Sequence, residues 1–224
     1  NEAPQGFALG DIASAQGSFS GLTATANPLV WTATFTPNAN IEDTATVTVT
    51  AGSYTDVAGN LGTAGSDTTL VDTQGPAAPT LALTTDSGVS SSDKITNDGT
   101  LTVSGTETGA LVEYSTNGTD WSSSFTPAQG SNTVYVRQTD TAGNVSPASP
   151  ALTFTYDTAA PSVTVDIAAT ALKAGETSSV TFTFNEAPQG FALGDIASTQ
   201  GSFSGLTATA NPLVWTATFT PNTN

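Results

Sequence analysis

The sequence predicts an all-β protein, a linear array of tandem Ig-like β-sandwich domains. Three observations predict it. Apolar residues alternate with polar ones at period two, and helical periodicity is nearly absent. Clusters of Gly, Asn, Asp and Pro interrupt the alternation about every 8–12 residues. The chain also repeats itself at spacings that match small sandwich domains.

The repeat sets the domain organisation. Residues 1–40 begin NEAPQGFALGDIAS and end NPLVWTATFTPNAN, and residues 185–224 repeat them with two changes, Ala15 to Thr199 and Ala39 to Thr223. The period is therefore 184 residues, and 184 plus 40 gives the whole 224. Within the period, TDVAGN at 55–60 returns as TDTAGN at 139–144, and VDTQGPAAP at 71–79 returns as YDTAAP at 156–161. The unit thus splits into a module A of about 99 residues and a module B of about 85, both sandwich-sized. Pro-containing segments after Asp72 and Asp157 read as stiff linkers. The expected division is 1–72 as a partial A lacking its first two strands, 73–157 as a complete B, and 158–224 as a partial A lacking its last two. Joining 159–184 to 1–72 makes a complete A. Either the window falls arbitrarily along a fibre or one chain's end completes the next chain's beginning, and neither fragment is expected to fold well alone.

The strands follow in order. Leu29, Trp31, Ala33 and Phe35 alternate with Val30, Thr32, Thr34 and Thr36, and Ala45, Val47 and Val49 alternate with Thr. In B the candidates are Leu81/Leu83, Leu101/Val103, Val112/Tyr114, Val134/Val136 and Leu152/Phe154/Tyr156. Val163, Val165 and Ile167 and then Val180, Phe182 and Phe184 open the last module. The 43 Thr residues suit the outer faces, because Thr is β-branched yet polar.

Composition narrows the function. There are 19 acidic residues against three basic ones (Lys94, Arg137, Lys173), net charge −16, and no His, Cys or Met. Disulfides, zinc sites, thiol nucleophiles and Ser-His-Asp triads are excluded. Three scattered cations cannot neutralise a nucleic acid backbone, so no nucleic-acid partner is expected. No apolar run nears the ~20 residues of a membrane span, so no membrane insertion is expected, and no signal peptide is read at the start. No catalytic constellation is present, and the chain reads as a non-enzyme.

The acids gather in turns and linkers. Glu2 and Asp11 lie in NEAPQGFALGD, with Glu186 and Asp195 as their second copies. Asp56 and Asn60 lie in TDVAGN, Asp140 and Asn144 in TDTAGN, and Asp72 and Asp157 in the linkers. On an Ig-like sandwich the second-to-third and sixth-to-seventh strand loops share the pole where the chain enters. Glu2 (or Glu186), Asp56 and Asn60 would then meet the incoming linker's Asp157, and Asp140 and Asn144 would meet Asp72. The loop DSGVSSSDKITND, with Asp86, Asp93 and Asp98, reads as a further site or half-site. Converging anions are unfavourable without a cation. With so few basic residues the cation is expected to be Ca²⁺, which takes about six to eight oxygens in loose geometry. The competing reading is that Asp and Asn simply bond their own turns. Trp31 and Trp215 read as core. Trp121, with Tyr114, is open between packing and a sugar platform. An isopeptide from Lys94 or Lys173 is a remote alternative.

The phrases LKAGETSSVTFTFNEAPQGF, WTATFTP, YTDVAGN, the DT-x-x-P linkers and DSGVSSSDKITNDGTLTVSGTETGALVEYSTNGTDW…VYVRQTDTAGN resemble the bacterial Ig-like repeats of giant type I-secreted adhesins, that is, the BapA-like biofilm-associated proteins and large RTX adhesins. The resemblance covers essentially the whole chain. It implies a stalk or extender segment, secreted to the bacterial cell surface, with Ca²⁺ at the joints and neighbouring repeats as partners. It supports Asp72, Asp157, Asp56, Asn60, Asp140 and Asn144 as ligands, and Glu2/Glu186, Asp86 and Asp93 less firmly. The alternative is a self-assembling extracellular filament or sheath in which chains complement each other's truncated modules.

Overall fold

The computed structural model describes residues 2–223. The strands are, in chain order, β1 (Ile12–Ala13), β2 (Gly17–Ala24), β3 (Trp31–Pro37), β4 (Glu42–Val49), β5 (Gly65–Asp72), β6 (Thr80–Leu83), β7 (Ile95–Thr96) and β8 (Leu101–Ser104). They continue with β9 (Leu111–Ser115), β10 (Gly130–Thr139), β11 (Leu152–Tyr156), β12 (Val163–Ile167), β13 (Ser178–Phe184), β14 (Gly201–Ala208) and β15 (Val214–Pro221). Among the described residues helix is confined to two single 3₁₀ turns, Leu9–Asp11 and Leu193–Asp195, and no helix is long and apolar enough to cross a membrane. The fold is all-β, as the alternation requires.

The chain divides into two compact units, residues 1–85 with 99–154, and residues 86–98 with 155–224. In the first, β4 pairs antiparallel with β5 from Glu42↔Asp72 to Val49↔Gly65, and β1 adds to its other edge. β2 and β3 form a separate two-stranded sheet, as do β6 and β8. β9, β10 and β11 lie side by side in one sheet. The long strand β10 buries every second residue, Asn132, Val134, Val136 and Gln138, and its neighbour β11 buries Leu152 and Phe154. Ala45 and Val71 are the buried apolar residues of the β4–β5 pair.

The second unit is a four-stranded antiparallel sheet in the order β12-β13-β15-β14. Val180, Phe182, Phe184 and Ala217 form its core, with Phe191, Ile196, Phe203, Leu206, Trp215 and Phe219 packed against them. Here too the last residues of β11 pair in parallel with β7, Thr155↔Ile95 and Tyr156↔Thr96.

Burial departs from the sequence pattern at β12. Val163, Val165 and Ile167 are cross-strand partners of Phe184, Phe182 and Val180, so they share the core face. They are nonetheless 46 %, 61 % and 44 % exposed.

The two copies of the 40-residue repeat differ in one local element. In the first, Ile12–Ala13 is a strand, paired with Val49 and Thr48 of β4. In the second, Ile196–Ala197 is not a strand, and no hairpin equivalent to β4–β5 accompanies it among the described residues. Partner availability decides the state of this dipeptide.

Candidate metal-binding joints

The D-x-A-G-N phrases build the same turn twice. The Asp56 backbone N–H donates to the Asn60 carbonyl at 3.1 Å, and that of Asp140 to the Asn144 carbonyl at 3.0 Å. The carboxylates close the turns. Asp56 Oδ1 accepts the Asn60 backbone N–H at 2.8 Å and its Oδ2 the Asn60 amide at 2.7 Å. Asp140 Oδ1 accepts the Asn144 and Ala142 backbone N–H groups, and its Oδ2 the Asn144 amide at 2.8 Å. Gly59 and Gly143, at φ 88° and 96°, supply the left-handed position that this reversal needs. The Asn60 side-chain amide, followed by the Asn60 backbone N–H, holds the Asp56 carboxyl below its ordinary value. At Asp140 burial works to raise the carboxyl, and the Asn144 amide together with backbone donors outweighs it, so the net displacement is again downward.

Linker and turn meet at Asp72. The Asn144 amide donates to Asp140 and also to Asp72 Oδ1 at 3.2 Å, so one neutral donor sits between two carboxylates. Asp72 Oδ1 also accepts the Gln74 backbone N–H at 3.1 Å. Sequence reasoning missed the residue that secures this linker. Gln138, fully buried, donates to the carbonyls of Ala77 and Gly105 at 2.8 and 3.1 Å and accepts the Glu107 backbone N–H at 2.8 Å. Pro76 and Pro79 of the same linker are buried. The signal in the sequence was a Gln at an apolar position of the β10 alternation.

Glu2, Asp56 and Asn60 line one hollow of about 290 Å³ with Pro4 and Tyr54. In the second unit Asp157 donates its backbone N–H to the Thr96 carbonyl at 2.9 Å, and its Oδ1 accepts the Ala159 N–H. Asn185, which sequence reasoning also passed over, ties the linker there: its Oδ1 accepts the Ser162 N–H at 2.6 Å. Asp86 Oδ2 accepts the Lys94 backbone N–H, and Asp93 Oδ1 that of Ile95. Asp11 and Asp195 each accept a backbone N–H, from Ala8 and Ala192 at 2.8 Å, and so close the 3₁₀ turns.

Two observations bear on whether these residues suit a cation. The Asp86 Oδ1 and Glu186 Oε1 atoms are buried without a hydrogen-bond partner, a costly state for a carboxylate that a cation would relieve. Among the described residues, however, no three acidic side chains converge closely enough to form a metal cluster by themselves. A Ca²⁺ ion at a joint would draw its remaining ligands from Asn carbonyls, backbone oxygens and water, which its chemistry permits.

Trp121 is a packing residue on at least one face. The Arg137 guanidinium lies 4.4 Å from its ring centroid and is held by Glu113 at 2.9 Å. That face is closed to a sugar.

Two family models, both described as bacterial Ig-like domain, match the chain, one over residues 1–73 and 157–224 and the other over 74–158. No match was found among curated proteins or among solved structures.

Proposed function

The chain belongs to the bacterial Ig-like domains, and from that premise we propose that it is a structural extender segment of a large bacterial surface adhesin. In this reading Ca²⁺ stiffens its domain joints, and its work is to support cell adhesion and biofilm formation. Domains of this family are typically extracellular, non-enzymatic repeat modules. The observation that carries the reading is the meeting of linker and loop at Asp72, Asp140 and Asn144.

The residues that would hold the ion at this joint are Asp72 and Asp140, with the Asn144 carbonyl. In module A they are Asp56 and Asn60 with Glu2 in the first unit, and in the second unit Glu186 and the linker acid Asp157 are the corresponding candidates. Asp86 and Asp93 would serve a further site, and Asp11 and Asp195 are peripheral candidates. The bound ion supplies positive charge that the three basic residues cannot. The chain's own contribution is to hold each linker: Gln138 and Asn144 pin residues 72–77, and Asn185 pins Ser162. Extracellular Ca²⁺ modules bind with Kd of about 10⁻⁴–10⁻³ M, so such sites fill outside a cell and empty in cytosol. Binding to the folded state alone then raises stability with free Ca²⁺.

Thermal unfolding in CaCl₂ and in EGTA tests this. The midpoint is expected to rise with Ca²⁺, and an unchanged midpoint would remove the calcium reading.

A further inference from the structure

The chain contains one Asn-Gly step, Asn117-Gly118, in the loop that follows β9. Such a step can rearrange without help. Glycine has no Cβ to hold its backbone nitrogen away from the preceding side chain, so that nitrogen can attack the Asn carboxamide carbon. The loop lies wholly within module B and is exposed from Thr116 to Asp120, so water reaches it. Hydrogen bonding, not burial, therefore decides whether Asn117 reacts.

Every polar group that the rearrangement must move is held. The Gly118 N–H, which carries the attacking nitrogen, donates to Ser115 Oγ at 2.9 Å. Asn117 Oδ1 accepts the Ser115 hydroxyl at 3.0 Å and the backbone N–H groups of Thr119 and Asp120, each at 2.9 Å. The Asn117 amide donates to Asp120 Oδ2 at 2.6 Å. Both ends of the carboxamide are thus fixed, and its plane cannot turn toward Gly118 unless several bonds break together. Ser115 itself is 3 % exposed and pairs with Tyr135 of β10. The neck of the loop is closed by Tyr114 and Ser122, which exchange backbone hydrogen bonds at 2.7 and 2.9 Å.

We propose that Asn117 is a self-modification site, kept latent by this folded turn and released when module B unfolds. In the open loop the Gly118 nitrogen bonds to Asn117 Cγ and gives its proton to solvent. The side-chain nitrogen takes a proton from solvent and leaves as ammonia, closing a succinimide. Water then adds to either ring carbonyl and breaks its bond to the ring nitrogen, leaving aspartate or isoaspartate at 117. Water is the only co-reactant. Neither product rebuilds the turn. Each puts a carboxylate where the amide met Asp120, so two anions replace a donor and an acceptor. Isoaspartate also lengthens the backbone by a methylene. A module that stays open is thereby marked, and the mark is a one-way record of unfolding.

The test follows conversion at residue 117 by peptide mass spectrometry and isoaspartate labelling, using the full chain at neutral pH. The unaltered chain unfolded in urea is expected to convert roughly tenfold or more faster than the folded chain, because the folded turn must first open locally. Ser115→Ala, still folded by circular dichroism, should convert about fivefold faster than the folded parent, the factor that one lost hydrogen bond supplies. Asn117→Asp should melt below the parent. Should Ser115→Ala fail to fold, the comparison of folded and unfolded parent decides alone. Equal conversion in the folded and unfolded parent, a folded Ser115→Ala no faster than the parent, or Asn117→Asp melting with the parent would each overturn the proposal.

Discussion

The side chain of Gln138 reaches the carbonyl of Ala77 at 2.8 Å, joining the C-terminal end of a core strand to a linker 61 residues earlier. The same side chain satisfies the Gly105 carbonyl and the Glu107 N–H, so one buried amide serves three backbone groups. Each such intramolecular hydrogen bond contributes about 1 kcal/mol net. Gln138→Ala is therefore expected to destabilise the first unit by roughly 3 kcal/mol. Urea unfolding should show it as a lower midpoint, and amide exchange should show faster opening at residues 74–79.

Asn144 is the neutral donor between Asp72 and Asp140. Asn144→Asp replaces it with a third anion. In EGTA the variant is expected to melt lower than the parent by roughly 5 °C. Its gain on adding Ca²⁺ should exceed the parent's, because the added carboxylate is a better ligand than an amide carbonyl. Paired calorimetric scans with and without Ca²⁺ measure both effects, and an equal Ca²⁺ increment in the two proteins would count against an ion at this joint.

The turns carry a pH signature. Asp56 and Asp140 both lie below the ordinary 3.8 in the folded chain. A depressed folded value means that the unfolded chain binds more protons, so stability rises with pH through this range. The contribution is complete above about pH 5 and is lost as pH falls through the folded values. The unfolding midpoint should be flat from neutral pH down to about 5 and drop below 4. In Asp56→Asn, Asp140→Asn that drop should be shallower.

Arg137 joins a partly buried ion pair to an aromatic face. Arg137→Ala is expected to cost about 1–2 kcal/mol through the lost cation–π contact and ion pair. Arg137→Lys should recover only part of that, since an ammonium lacks the planar stacking surface. Chemical denaturation of the three proteins would rank them.

The sequence showed the strands whose apolar residues alternate strongly, such as Val134–Val136 and Val180–Phe184, because their period is a local property. It hid β2 and β5, in which at least half the residues are Gly, Ser or Thr and which acquire strand geometry from their partners. Ile12–Ala13 and Ile196–Ala197 make the limit plain, since the same residues are strand in one place and not in the other. At the joints the meeting of Asp72 with Asp140 and Asn144, and the sharing of one hollow by Glu2, Asp56 and Asn60, could be read from loop alternation. The division of each carboxylate's two oxygens among nearby N–H groups could not, because it depends on turn geometry finer than residue type.

The short parallel pair between β7 and the end of β11 has a consequence under load. Its bonds, Thr155 N–H to the Lys94 carbonyl at 2.8 Å and Asp157 N–H to the Thr96 carbonyl at 2.9 Å, lie side by side along the strand direction. Tension drawing residue 94 and residue 157 apart slides the strands past one another, so both bonds take the strain together. An antiparallel pair pulled from one end would open them in turn, like a zipper. This lap joint has to shear before the chain can lengthen there.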